Sequence, residues 1–216
     1  MPLHVLTDEL WFPPADDAGE EGLLALGGDL SVDRLLLAYR SGLFPWFNED
    51  EPPLWWCPDP RCVLFPNELY ISKSMKQLLK RKAFTVTCNK AFEEVIRQCG
   101  ETRMDQEGTW ITEDIVDAYT ELHQLGYAIS VEAWNKEELV GGLYGIRLGN
   151  LFFGESMFSK VSNASRYAFI QYTEQLKQEG VSLIDCQVHT DYLESMGARM
   201  IPGKEFDRLL QNLVER

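Results

Sequence analysis

Two strand-like stretches carry polar side chains where an apolar core is expected. In LIDCQV, residues 183–188, the two-residue period of a strand sets Asp185 and Gln187 on one face and Ile184 and Cys186 on the other. A carboxylate and an amide in an apolar strand need partners or a ligand to offset their desolvation. The pair therefore reads either as an internal hydrogen-bonded pair or as two groups of a reaction centre. In GESMFS, residues 154–159, the same period turns Glu155, Met157 and Ser159 to one surface and Gly154, Ser156 and Phe158 to the opposite one. Glu155 is then either an ordinary edge-strand glutamate or a site carboxylate that shares a surface with a thioether. The segment is one glycine short of the G-x-S-x-G elbow of serine hydrolases, since Phe158 holds the last position, which argues against Ser156 as a nucleophile. Cys186 and His189 do not make a thiol dyad in this reading, because Cys186 points away from Asp185 and His189 falls at the strand end.

Charge is unevenly distributed. The chain has 20 Lys and Arg against 34 Asp and Glu, a net charge of −14, so its average surface repels polyanions. Between Ser72 and Lys82, however, stand Lys73, Lys76, Lys80, Arg81 and Lys82 with no acid among them. Lys73, Lys76 and Lys80 recur at helical spacing, which makes this stretch either a solvated helix face or a contact for a phosphate backbone. Six tryptophans, including Trp46, Trp110 and the pair Trp55 and Trp56, supply core bulk or, beside loop glycine and proline, a stacking platform for a nucleobase. The five cysteines form no C-x-x-C pair and the three histidines are scattered, so reduced thiols and no metal centre are expected. No run approaches the roughly 18 apolar residues of a membrane span, and MPLHVLTDEL lacks the basic and apolar segments of a signal peptide. A cytoplasmic protein is expected.

Elements of both kinds must position these groups. The first 60 or so residues are rich in Pro, Gly and Trp and hold one evident helix. It starts near Ser31, carries Leu35, Leu36 and Tyr39 inward and stops at Gly42. So small a segment must dock on something larger, giving a minor domain at 1–62 and a main domain at 63–216. In the main domain, Ser72 to Lys82 reads as a helix with Met75, Leu78 and Leu79 on one face, followed by the strand FTVT. Asn89 is expected to cap a helix through Cys99, with Gly100 beyond its end. Thr112 opens another helix, which reaches Leu125. Three strands follow, YAISVEAW, LVGGLYGIRL and LFFGESMF, joined by turns at Asn135–Glu138 and Gly149–Asn150 into an antiparallel meander. A helix from Asn163 to Gln178, the strand VSLIDCQV, a short helix, a short strand and a final helix from Lys204 complete an α+β chain.

These stretches together resemble the bacterial leucyl/phenylalanyl-tRNA–protein transferases. The resemblance rests on GLLALGGDLS (22–31), YRSGLFPWF (39–47), LWWCPDPR (54–61), GTWIT (108–112), ELVGGLYG (138–145), GESMFS (154–159), NAS (163–165) and LIDCQV (183–188). The motifs run in order along nearly the whole chain. The resemblance implies a small N-terminal domain plus a domain like the GNAT acetyltransferases. It also implies transfer of Leu or Phe from aminoacyl-tRNA to the N-terminal Arg or Lys of a protein, which marks that protein for degradation.

An acetyl-CoA enzyme would need a glycine-rich pyrophosphate loop between strand and helix. SKVSNASRY, which follows GESMF, has no glycine, so the loop is unsuited to CoA and no cofactor is expected. The GGLYG run lies inside a strand and is no substitute. An acetyl-CoA N-acetyltransferase is the rival enzyme reading. A non-catalytic RNA- or peptide-binding protein is the rival outside catalysis, and it has no need of Asp185 and Gln187 on one face.

Carried over by motif, Trp46 and Trp110 hold the terminal adenosine, and Glu155, Asp185 and Gln187 line the reaction centre. The side chain of the transferred amino acid enters an apolar pocket near Phe152, Met157 and Ile184 with the helix residues Tyr172 and Leu176. Tyr119, Leu143 and Ser159 complete the substrate contacts, and Lys73, Lys76, Lys80, Arg81 and Lys82 meet the tRNA backbone. Leu143 and Tyr172 stand where some relatives carry methionine and phenylalanine, which bears on the choice among Leu, Phe and Met. An ester donor and an amide product make the reaction downhill without ATP or metal. Gln187 is expected to orient the attacking amine through its side-chain oxygen and Asp185 to steady the positive charge, while Glu155 holds either the donor's ammonium or the acceptor's Arg or Lys.

Overall fold

Strand alternation and helix caps build two sheets and seven helices in the computed structural model, which describes residues 3–104 and 109–214; Gly108 of the GTWIT motif lies outside them. A four-stranded sheet is formed by β1 (His4–Leu6), β2 (Leu23–Gly27), β3 (Phe44–Pro45) and β4 (Leu54–Trp56), in the order β1-β2-β4-β3, with α1 (Val32–Arg40) between β2 and β3. The chain then enters the larger sheet at β5 (Arg61–Leu64) and continues through α2 (Lys73–Lys80), β6 (Thr85–Cys88), α3 (Phe92–Met104) and α4 (Glu113–Gln124). The meander follows as β7 (Ala128–Asn135), β8 (Glu138–Leu148) and β9 (Leu151–Ser159). Next come α5 (Ala164–Gln178), β10 (Leu183–Gln187), α6 (Asp191–Glu194), β11 (Arg199–Ile201) and α7 (Gly203–Val214). The larger sheet has seven strands in the order β11-β5-β10-β9-β8-β7-β6. The architecture is α+β, as the alternation of patterns indicates.

Local chemistry explains most helix starts. The hydroxyls of Ser31, Ser72 and Thr112 each accept from the backbone N–H three residues on, capping α1, α2 and α4. The expected cap at Asn89 is not made. Asn89 adopts a left-handed φ of 58° and its Oδ1 accepts from Ser130 N, tying the loop to β7. The N–H groups of Lys90 and Ala91 are instead held by Glu132 Oε1, at 3.1 and 3.2 Å. A carboxylate 40 residues downstream in sequence carries no local signal. Gly100 does not end α3 either; the helix runs on to Met104, with Gly100 packed beside Ile111.

One pairing in the larger sheet sets the site. All its neighbours are antiparallel except β9 and β10, which run parallel through Leu151–Leu183, Phe152–Ile184 and Phe153–Asp185. Beyond Phe153 the strand β9 stays with β8 to Ser159, while β10 turns away with β5 and ends at Gln187. Two cores cover the sheet. One joins the small sheet, α1, α3, α4 and α7 through Tyr39, Trp55, Phe92, Tyr119, Phe153 and Phe206; the other lies under α5 around Leu143, Phe152, Tyr172 and Ile184. Among the described residues no helix is long and apolar enough to cross a membrane.

Candidate active site

The gap between β9 and β10 opens a cavity of about 680 Å³, and a change of strand phase decides which side chains enter it. The register between β8 and β9 slips where Tyr144 faces Ser156 but Gly145 faces Gly154, so Glu155 is an extra, bulged residue. A Cβ on Gly145 would lie 2.1 Å from Phe153 O, so only glycine fits opposite this bulge. The expected alternation fails here as a consequence. Glu155 reaches Tyr119 and Gln187 on the face that carries Phe153 and Phe158, whereas Met157 returns to the opposite face with Leu143 and Phe152.

Glu155 is nearly buried and well bonded. Its Oε1 accepts from Gln187 Nε2 at 2.9 Å and its Oε2 from the Tyr119 hydroxyl at 3.4 Å; the Tyr119 hydroxyl is in turn hydrogen-bonded to that of Tyr39. Burial pushes the carboxyl up to about 7, with help from the charge of Asp185 and against the hydrogen bonds of Tyr39, Gln187 and Tyr119. Burial and the Glu155 charge also hold both tyrosines well above their ordinary range, so they remain neutral donors. Glu155 is the only carboxylate among the described residues that line the cavity.

Asp185 and Gln187 share one side of β10, with Ile184 and Cys186 packed into the core under α5. Their surroundings differ from expectation in one respect. Asp185 is wholly buried, does not line the cavity, and spends both oxygens on Arg61, whose Nε and Nη2 donate at 2.9 and 2.7 Å. Asp185 therefore cannot face an incoming amine. Gln187 does line the cavity, with a left-handed φ of 63° and its backbone N–H donated to Asp185 Oδ1 at 2.9 Å.

The apolar part of the cavity is formed by Leu143, Met157, Ile184 and Phe169. Phe152, Tyr172 and Leu176, expected in that wall, are not part of it. Phe152 and Tyr172 pack edge to face within the core at 5.2 Å and Leu176 is fully buried behind them. The reason is helical geometry: Ser165 and Phe169, one turn apart on the first half of α5, meet the cavity, and the next turns run on over the sheet. Ser159 lines the cavity and its Oγ accepts from Ser165 N at 2.9 Å. It thereby caps α5, which Asn163 does not.

Trp46, 47% exposed, and Trp110, 8% exposed, both border the cavity. Trp46 is steadied by Trp56, whose Nε1 donates to its carbonyl at 2.7 Å. Lys73, Lys76, Lys80, Arg81 and Lys82 are all exposed, and among the described residues none of them is ion-paired. The helix α2, which holds the first three and is followed directly by Arg81 and Lys82, rests through Met75 on Tyr167 and Ile170 of α5. A hydrogen bond with Cys62, together with burial, holds the Cys186 thiol well above its usual range, and His189 is bonded to Glu194 at 2.8 Å on the surface. Those two are not a dyad. The described cysteines are all free thiols. His189, Asp191 and Glu194 bring ligand-type atoms within 4.8 Å of one another, all three exposed.

Sequence reasoning missed Arg61, Tyr39 and Phe169 as parts of this site. Arg61 had a signal: a cation heading the apolar run CVLF must find an anion, and Asp185 needed one. Tyr39 reads only as an inward helix residue, because its partner hydroxyl lies 80 residues away.

Comparison with known proteins extends over the whole site. The family model described as leucyl/phenylalanyl-tRNA protein transferase matches residues 63–211, and that of the corresponding N-terminal domain matches residues 28–59. A protein of Flavobacterium johnsoniae is 56% identical over 211 residues, covering 97% of this chain and all of its own. One of Syntrophobacter fumaroxidans is 54% identical over 217 residues, covering 100% and 93%. One of Syntrophotalea carbinolica is 56% identical over 213 residues, covering 98% and 93%. All three carry the name leucyl/phenylalanyl-tRNA–protein transferase.

Proposed function

The chain belongs to the leucyl/phenylalanyl-tRNA protein transferase family, and from that premise we propose that its cavity joins the aminoacyl end of Leu-tRNA or Phe-tRNA to the α-amine of a protein beginning with Arg or Lys. The observation that carries this reading is the Glu155 and Gln187 pair where β9 and β10 part, in a cavity lined also by two tryptophans and by apolar side chains. In this reading Trp46 and Trp110 take the terminal adenosine between them, since base on indole stacking needs no sequence-specific contact. The leucyl or phenylalanyl side chain lies against Leu143, Met157, Phe169 and Ile184. The cations of α2 hold the tRNA phosphates.

The reaction asks for placement and proton control. The neutral acceptor amine attacks the ester carbonyl, the new C–N bond forms, the bond from that carbon to the ribose oxygen breaks, and the proton lost by the nitrogen ends on the departing hydroxyl. An α-amine has an ordinary pKa of roughly 7.7 to 8.0, so the incoming group must first shed one proton. Glu155, with its carboxyl pushed up to about 7, is matched to receive it. Gln187 spends Nε2 on Glu155, which leaves its side-chain oxygen to accept from the amine and aim the lone pair. Correct placement alone is worth about 7 to 11 kcal/mol of barrier. Asp185 supports Gln187 from behind. The product, with a new bulky N-terminal residue, serves as a degradation signal in the cytoplasm.

The parallel pair that separates beyond Phe153 and Asp185 supports a GNAT-like organisation of residues 63–216, with 1–62 as a smaller N-terminal unit. The deciding experiment incubates the protein with Leu-tRNA and an Arg-initiated peptide, with acetyl-CoA as rival donor. Leucyl-peptide is expected by mass spectrometry, in the presence of a chelator and without ATP. Acetyl-peptide alone would reverse the reading.

A further inference from the structure

Gln187 holds a left-handed backbone, φ 63°, which is strained for a residue with a Cβ. The register of β10 against β5 slips between Asp185, which faces Val63, and Gln187, which faces Cys62, so Cys186 is extra and the Gln187 backbone lies at a bulge. Beside its pairing with Cys62, a relay of hydrogen bonds holds it. Arg61 grips both Asp185 oxygens, and Asp185 Oδ1 takes the Gln187 N–H, each bond between 2.7 and 2.9 Å. The guanidinium lies over the ring of Phe44 at 4.9 Å and of Phe206 at 4.8 Å. It is thus clamped by an aromatic of the small sheet and one of the last helix. Phe44 also lines the cavity.

A buried ion pair is a poor source of stability, because desolvating two charges offsets most of their attraction, and apolar replacements are often as stable. Strain retained beside a reaction centre points instead to geometry that the reaction needs. We propose that Arg61 is the positioning residue of the site: by fixing Asp185 it locks the Gln187 backbone, so that the amide bridges to Glu155 and presents its oxygen to the acceptor amine. The proposal rests on the transferase reading for its kinetic arm. Arg61 touches no substrate. With Asp185 neutralised by a fork of two hydrogen bonds, the pair contributes orientation rather than net charge, and Lys, with no fork, is a poor substitute.

The test is a double-mutant cycle with a second, activity-independent readout. Arg61→Met is expected to lower kcat about 100-fold or more while KM for Leu-tRNA stays within about 3-fold. In a Gln187→Ala background the same change should alter kcat by less than about 3-fold, because Arg61 then has nothing left to position. Equal losses in both backgrounds would overturn the proposal. The side-chain amide signals of Gln187 in a nitrogen-15 correlation spectrum supply the other readout, whether or not the protein transfers leucine. They should move toward free-amide positions in Arg61→Met and partly so in Arg61→Lys. Unmoved signals in a folded Arg61→Lys protein refute the lock. If Arg61→Met fails to fold, Arg61→Lys and Asp185→Asn decide the question in the same cycle: Asp185→Asn, which keeps an oxygen for the Gln187 N–H, should retain at least about tenfold more kcat than Asp185→Ala. Equal activity in those two variants overturns it. A wild-type protein inactive with Leu-tRNA and Arg-peptide refutes the transferase reading alone, and the amide signals still judge Arg61.

Discussion

Gln187 and Glu155 join hands across the gap between two strands that no longer pair: Nε2 donates to Oε1 at 2.9 Å, beyond the last β9 and β10 partners at Phe153 and Asp185. One amide thus closes the sheet where its backbone ladder has ended, and the carboxylate it reaches is the only one bordering the cavity among the described residues.

That carboxylate should be visible in the stability of the protein. The folded Glu155 carboxyl is pushed from 4.5 up to about 7, so between those pH values the folded chain keeps a proton that the unfolded chain has released. Stability therefore falls as pH rises through that window, by up to about 3 kcal/mol. Glu155→Gln removes the effect. Urea unfolding at pH 5 and pH 8 should show the variant gaining on wild type by up to about 3 kcal/mol between the two; a difference that does not change with pH assigns the shifted proton elsewhere.

The same substitution should impair the reaction. Glu155→Gln is expected to lower kcat by roughly 100-fold or more. It should also erase an inflection near pH 7 from the rate profile, leaving the acceptor amine's own inflection near 8. Survival of the lower inflection in the variant would exclude Glu155 as the proton acceptor.

Asp185→Ala and Gln187→Ala should depress turnover far more than binding of aminoacyl-tRNA, since the proposed reaction sets both behind or beside the reacting amine. Cys186→Ser should be mild, because its thiol is held in the un-ionised form by Cys62 and burial. A dead Cys186 variant beside an active Gln187→Ala would point to a thioester intermediate.

Two of the aromatic residues of α5, Phe169 and Tyr172, tell the pocket from the core. Phe169→Ala should change the ratio of Leu to Phe transferred, because Phe169 lines the cavity. Tyr172→Ala should cost about 3 kcal/mol or more of stability and leave that ratio alone, since Tyr172 packs against Phe152. Competition between Leu-tRNA and Phe-tRNA, read beside thermal melts, checks both.

The exposed cations of α2 make a salt-dependent prediction. Each phosphate contact adds roughly 0.7 to 0.9 to the slope of log affinity against log salt, so Lys76→Ala/Lys80→Ala should flatten that slope for tRNA. Affinity should fall alike for Leu-tRNA and Phe-tRNA, because phosphate contacts position without selecting. A minimal aminoacyl-adenosine donor should react almost as before. An unchanged slope would make α2 a solvated face only.

Short-range rules found most elements, because caps such as Ser31 and Thr112 and the period of LIDCQV are written in adjacent residues. They failed where one residue is added to a strand. The bulge at Glu155 inverts the facing of Met157, and nothing in GESMFS itself announces it; the signal lies in Gly145 on the neighbouring strand, whose missing Cβ makes room. Partners distant in sequence were equally hidden. Glu132 caps α3 from β7, and Arg61 reaches Asp185 across 124 residues. The apolar pocket was legible as a composition but not as a surface, since telling Phe169 from Tyr172 needs the rotation of α5 over the sheet.

The clamp on Arg61 bears on how such a protein can be rearranged. Phe44 comes from β3 of the small sheet, Tyr39 from α1, Phe206 from the last helix, and Arg61 from the strand that enters the larger sheet. A chain beginning at residue 63 contains neither the guanidinium nor the hydroxyl that meets Tyr119. The small sheet is therefore not an interchangeable part: any exchange of N-terminal segments must bring its own cation, aromatic and phenol to the same three places, so drift in one sheet is constrained by the other.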